Sequence, residues 1–213
     1  MTTPLDGCAA AVVAFFDPLI AMLEKQAAVL GPHITTESPY AAVERQVRPW
    51  AHSVLDTTAC MGAGFVAAPG VLADAQWYLS WWQGENREQL DTARYVSVDY
   101  TANEWYRIPA QTGAVHVAGP YVDFLCTREN ALTVAVPTVN DRGFVGVVGA
   151  DILVRDFEAA ILPAFRGTDA VLVNGDQRLV VSADPTLAPG TLIAAQRYSR
   201  RVPCGDLPLA ILG

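Results

Sequence analysis

Apolar residues change their spacing near residue 60, and that change sets the fold class. Val12, Phe15, Phe16, Leu19, Ile20 and Leu23 recur every three to four residues, the period of a helix with one buried face. The spacing predicts a helix over 7–30, kinked or restarted at Pro18 and closed by Gly31-Pro32. Val43, Val47, Trp50, Val54 and Leu55 repeat the pattern over a second helix, from Pro39 or Tyr40 to about Cys60. Beyond Gly62 and Gly64 the apolar runs become short and alternate, divided by Gly, Pro, Asn and Asp. This is the texture of antiparallel strands, expected over 64–68, 76–82, 95–98, 114–118, 121–126, 131–139 and 143–152. Asn140-Asp141-Arg142-Gly143 joins the last two as a hairpin. A short helix over 153–165 follows, then a hairpin of 171–173 and 179–182 turned at Asn174-Gly175-Asp176, and a last strand at 207–212. Two helices, then a meandering sheet with one helical crossover, make the class α+β.

Composition narrows the partners. Of 213 residues 52% are apolar and 17% charged, enough for a packed core. Fourteen Lys and Arg against 22 Asp and Glu leave a net charge of −8, which excludes a basic footprint for nucleic acid and attraction to an anionic membrane surface. Gly7 to Phe16 is apolar, like the core of a signal peptide, but Met1 to Asp6 lacks the cationic start of one. Asp17-Pro18 then interrupts it, and no run reaches the roughly 20 apolar residues of a spanning helix. The expectation is a soluble, cytoplasmic protein without a membrane partner.

Catalytic and metal signatures are missing. Cys8, Cys60, Cys126 and Cys204 are widely spaced, with no CxxC pair, and are expected as buried free thiols. His33, His52 and His116 have no metal-ligand spacing. Gly143 to Gly149 is glycine-rich but lacks the Lys-Ser/Thr ending of a phosphate loop. No metal, cofactor or catalytic residue is expected, and the chain is not read as an enzyme.

Aromatic residues instead concentrate between Trp77 and Tyr121, interleaved with Asp99, Glu104 and, just beyond, Asp123. Asp151 ends an otherwise apolar strand, where a desolvated carboxylate needs a cation, a hydrogen-bonding network or water. Aromatic faces with carboxylates suit ammonium recognition, through the ring quadrupole and charge-assisted hydrogen bonds. By residue chemistry alone the plainer interpretation, tryptophans in the core and acids at solvated turns, is the stronger.

A resemblance shifts that balance. The stretches DYTANEWYRIPAQTG, GPYVD and ALTVAVPTVNDRGFVGVVGADI, from Asp99 to Ile152, resemble the ligand-binding module of Cache domains, PAS-like sensors of chemoreceptors and sensor kinases. The resemblance implies a PAS-like antiparallel sheet of about five to seven strands with long N-terminal helices and a crossover helix. It divides the chain into a helical segment, 1–60, packed on a ligand-binding domain, 61–213. In family members that bind amino acids or amines, an Arg stands two residues before a Trp-Tyr pair, followed by a Tyr and an Asp and by a distant Asp. Trp105 and Tyr106 match the pair, Tyr121 and Asp123 the next two, and Asp151 the last. Asn103 takes the place of the Arg, which removes the bidentate clamp for an α-carboxylate. Trp81, Trp82 and Glu104 join the candidates through proximity to the aromatic cluster.

These residues imply a sensor for a cationic amine, polyamine or quaternary ammonium ion. Alternatives are an amino-acid or small-carboxylate sensor of the same fold and an enzyme acting on a small amine. As a stand-alone soluble version of the family, the chain would signal through a homodimer or a separate regulatory protein.

Overall fold

The computed structural model describes residues 3–90, 99–122 and 129–213. The expected strand 95–98, and Asp123 and Cys126 at the end of the expected strand 121–126, lie outside them.

Helix α1 (Pro4–Leu30) opens on a capping box. Thr3 N and Oγ1 each donate to Asp6 Oδ2 at 2.7 Å, and Asp6 N donates back to Thr3 Oγ1 at 3.4 Å. The helix continues through Pro18 instead of restarting there. Pro18 and Ala14, whose carbonyl loses its donor, are both exposed, so water can replace the missing bond. With the 3₁₀ turn Gly31–His33 this helix is long and apolar enough to cross a membrane by length and composition, contrary to expectation. Cys8, Val12, Phe16, Leu19, Leu23, Ala27 and Leu30 form a buried stripe along one face of it, and 28% of its apolar window is buried.

The chain divides into two compact units. One contains Met1–Leu19, Val117–Leu132 and Ile152–Gly213. Its sheet is four-stranded and antiparallel, in the order β8 (Leu179–Ser182), β7 (Val171–Asn174), β10 (Leu209–Leu212), β9 (Arg201–Pro203). Val171, Val173, Leu179, Ile193, Ala210 and Leu212 form a core cluster on it. Helix α4 (Val154–Phe165) packs on α1, with the Phe157 ring 4.9 Å from Phe15 and 5.0 Å from Phe16. Asn174 braces the β7–β8 turn: its Oδ1 accepts from Arg178 N and Asp176 N, and its Nδ2 donates to Gly119 O at 2.8 Å.

The other unit contains Ile20–His116 and Thr133–Asp151. It holds α2 (Tyr40–Thr57), β1 (Gly62–Ala67), β2 (Leu79–Gln83), β3 (Glu88–Gln89), α3 (Glu104–Thr112) and most of the hairpin β5 (Asn130–Asn140) and β6 (Gly143–Leu153). The six-stranded sheet runs β3-β2-β1-β6-β5-β4, with β4 at His116–Val122.

The expected α+β class is therefore the fold observed, in two antiparallel sheets of six and four strands where one of about five to seven was expected, and two elements differ in detail. The expected strand 114–118 and the described start of the expected strand 121–126 are joined, because β4 runs through Gly119-Pro120 to Val122. Helix α3 was not expected. It is only nine residues long with Pro109 inside, yet Glu104 lies in its first turn and Gly113, at φ 65°, closes it in the left-handed conformation.

Candidate functional site

Strand β2 separates two neighbouring tryptophans, because successive side chains leave a strand on opposite faces. Trp82 pairs with Ala63, and its ring lies 5.8 Å from His52 of α2, edge on. It is a core residue, 2% exposed. Trp81 pairs with Gly64 and occupies the other face, the one that carries Gly62, Gly149 and Asp151.

Glycines shape that face. A Cβ on Gly62 would stand 2.5 Å from Trp81 Nε1, one on Gly64 2.7 Å from Trp81 Cε3, and one on Gly149 3.3 Å from Trp81 Cη2. Contacts at three separate edges of the ring mean that the indole lies flat on β1 and reaches β6. A side chain at Gly62 or Gly64 would displace it, and one at Gly149 would crowd its edge.

Asp151 sits at the end of β6, opposite Gly62. It is buried, 8% exposed, and its Oδ1 accepts from Thr133 Oγ1 at 2.6 Å. Its backbone oxygen accepts from Met61 N at 2.9 Å. The Oδ2 atom stands 3.3 Å from the Gly62 Cβ position, beside the Trp81 indole nitrogen. Burial pushes the neighbouring Cys60 thiol up to about 12, and the Asp151 carboxylate adds to that shift.

A second cluster surrounds α3. Asn103 is its exposed N-cap, whose backbone oxygen accepts from Arg107 N at 2.8 Å. Glu104 Oε1 is bonded to His116 Nε2 at 2.8 Å, tying the start of α3 to the start of β4. The half-buried Trp105 stacks on Tyr100 at 6.3 Å. Tyr106, 5% exposed, packs against Tyr100 at 5.3 Å and Phe144 at 5.6 Å. Tyr100 fixes this cluster to the end of β1 and the residue before β2: its hydroxyl donates to Ala67 O at 2.7 Å and accepts from Tyr78 N at 3.3 Å. Burial pushes the Tyr100 hydroxyl up to about 12 and raises that of Tyr106 as well.

Among the predicted residues, the structure thus brings Trp81 and Asp151 together over Gly62, and groups Asn103, Glu104, Trp105 and Tyr106 on α3. Trp82 is on the opposite face of the sheet. Tyr121 is half-buried near the end of β4, in the first unit, and Asp123 is outside the described residues. Sequence reasoning missed Thr133 as the carboxylate's donor, His116 as the partner of Glu104, and the roles of Gly62, Gly64 and Gly149. Glycines inside strands do mark close approach, so the last signal was present.

Comparison with known proteins identifies the family and the fold. The family model of the methyl-accepting chemotaxis protein-like, first PDC sensor domain matches residues 50–159, just over half of the chain. The ligand-binding domain of the Pseudomonas fluorescens chemoreceptor CtaA, solved with L-valine, superposes with a TM-score of 0.68 at 17% identity, over 100% of this chain and 94% of that one. The ligand-binding domain of Pseudomonas aeruginosa PctB, solved with L-Arg, gives 0.64 at 16% identity over 98% and 84%. That of PctC from the same species, solved with GABA, gives 0.60 at 16% over 97% and 96%. No curated protein matches the sequence. The chain belongs to the methyl-accepting chemotaxis protein-like PDC sensor domains: it is a ligand-sensing domain of the Cache type.

Proposed function

We propose that this sensor domain recognises a small cationic amine, with Asp151 anchoring the ammonium group. The observation that carries this proposal is a buried carboxylate held by Thr133 beside the flat indole of Trp81. A carboxylate beside an aromatic face suits an ammonium group, which brings opposite charge and N–H donors to the one and is attracted by the quadrupole of the other. The α-carboxylate clamp is the weaker half, because the position expected to hold an Arg is the exposed Asn103. Tyr121 and Asp123 enter this reading through the family resemblance alone, as do Trp105 and Tyr106 as aromatic residues. The domain acts by binding, without turnover, and passes its signal to a partner protein or a second copy of itself.

A second reading, an amino-acid sensor, is favoured by the ligands in the related structures. L-valine, L-Arg and GABA each carry an ammonium group and a carboxylate. The two readings share the Asp151 anchor and differ in whether a carboxylate is also read.

A thermal-shift panel separates them. Under the amine reading putrescine and butylamine stabilise the domain and L-valine does no better than butylamine. Ligand at a hundredfold excess over Kd stabilises by about 2.7 kcal/mol. If only molecules with both groups raise Tm, the amino-acid reading replaces it. Mass spectrometry of the recovered ligand checks that none is converted.

A further inference from the structure

The sheet face under Trp81 carries more than one acceptor. Gln83, Gly62 and Asp151 stand opposite one another across β2, β1 and β6, so all three share the face on which the indole lies. Gln83 Oε1 is buried and has no hydrogen-bond partner among the described residues. A buried acceptor of this kind calls for a donor that the described protein does not provide. Between the two acceptors, Gly62 leaves the gap into which Trp81 Nε1 and Asp151 Oδ2 both lean.

We propose that Trp81, laid flat by Gly62, Gly64 and Gly149, is the floor of the ammonium subsite and selects the ligand's head group. The charged nitrogen donates N–H bonds to Asp151 and Gln83, while its attached carbons lie on the indole face and gain the attraction of the ring quadrupole. This rests on the amine reading above and narrows it to amines that keep at least one N–H. A quaternary ammonium ion has none to give to either acceptor. Gly62 is part of the device. An Ala there would meet only side-chain atoms, Trp81 Nε1 at 2.5 Å and Asp151 Oδ2 at 3.3 Å, so it would tilt the indole. At Gly64 the same change would strike Ser80 O of the backbone at 2.1 Å, making it an unsuitable probe.

Isothermal titration of the full chain with n-butylamine, n-butanol and tetramethylammonium tests the proposal. Wild type should bind butylamine and discriminate against both the uncharged alcohol and the quaternary ion. Trp81→Leu should weaken butylamine binding about tenfold, with Trp81→Phe losing less. Gly62→Ala and Gln83→Met should each weaken it severalfold, with near-ultraviolet circular dichroism checking that the fold persists. Should Trp81→Leu not fold, Trp81→Phe and Gly62→Ala carry the test. Wild-type affinity in the Trp81 and Gly62 variants, or equal binding of tetramethylammonium, would overturn the floor while leaving the amine reading intact. No butylamine binding by wild type would overturn both.

Discussion

Thr133→Val removes one hydroxyl from beneath the Asp151 carboxylate and leaves the side-chain outline almost unchanged. Thr133 is 3% exposed and Asp151 8%, so water has little access to replace the 2.6 Å hydrogen bond from Thr133 Oγ1. Hydrogen bonds to a charged acceptor contribute about 1.5–3 kcal/mol net. The variant should therefore lose about 2 kcal/mol of unfolding free energy, or roughly 4–8 °C in Tm for a chain of this size. Placing the same substitution in an Asp151→Asn background removes the charge but keeps an acceptor. There the loss should shrink to about 1 kcal/mol, the value of a neutral pair. The difference, about 1 kcal/mol of coupling, is what a double-mutant cycle by urea unfolding reads, provided the denaturant slope is unchanged. Equal losses in the two backgrounds would refute the idea that Thr133 stabilises a buried charge.

Other perturbations probe the surroundings. Tyr100→Phe removes the donor to Ala67 O and the acceptor for Tyr78 N, and should cost about 1–3 kcal/mol in chemical unfolding. Trp82→Ala empties a core position, 2% exposed, on the face opposite Asp151, and should cost about 3–5 kcal/mol. At temperatures where that variant stays folded its ligand response should match wild type, and a lost response would place Trp82 in the site. Hydrogen bonds from Thr3, then Arg200, hold the Asp6 carboxyl below its ordinary 3.8. A lowered folded value means that the stabilisation is present above about pH 3.8 and disappears as pH falls through that lowered value. Asp6→Asn should therefore flatten the acid limb of the Tm-against-pH curve, and an unchanged limb would exclude the capping box as a contributor.

The elements most legible in the sequence were those made by local rules. The helical periods of α1, α2 and α4, and the turn residues at Asn140-Asp141-Arg142-Gly143 and Asn174-Gly175-Asp176, located most of the chain. At Pro18 the helix runs on without the restart that was one of two expectations there, and at Gly119-Pro120 β4 continues where a gap between strands was expected. Helix α3 escaped because its apolar stripe is only Tyr106 and Pro109, too short to show a period. At the site, the costly carboxylate of Asp151 was visible as an acid in an apolar strand. Its donor Thr133 was not, since it is 18 residues away on the neighbouring strand and only register brings it there. Period-two alternation alone would have parted Trp81 from Trp82. The glycine bed under Trp81 needed the pairing of β1 with both β2 and β6, which no local pattern encodes.

The central claim is that Asp151 holds the ligand's ammonium group, and calorimetric titration of Asp151→Asn with putrescine tests it most directly. The neutral amide keeps the shape and an acceptor for Thr133, so the account predicts a folded domain whose affinity falls by at least about tenfold, the equivalent of roughly 1.4 kcal/mol. Unchanged affinity in a folded Asp151→Asn domain, or heat released only by carboxylates that lack an amine, would contradict it.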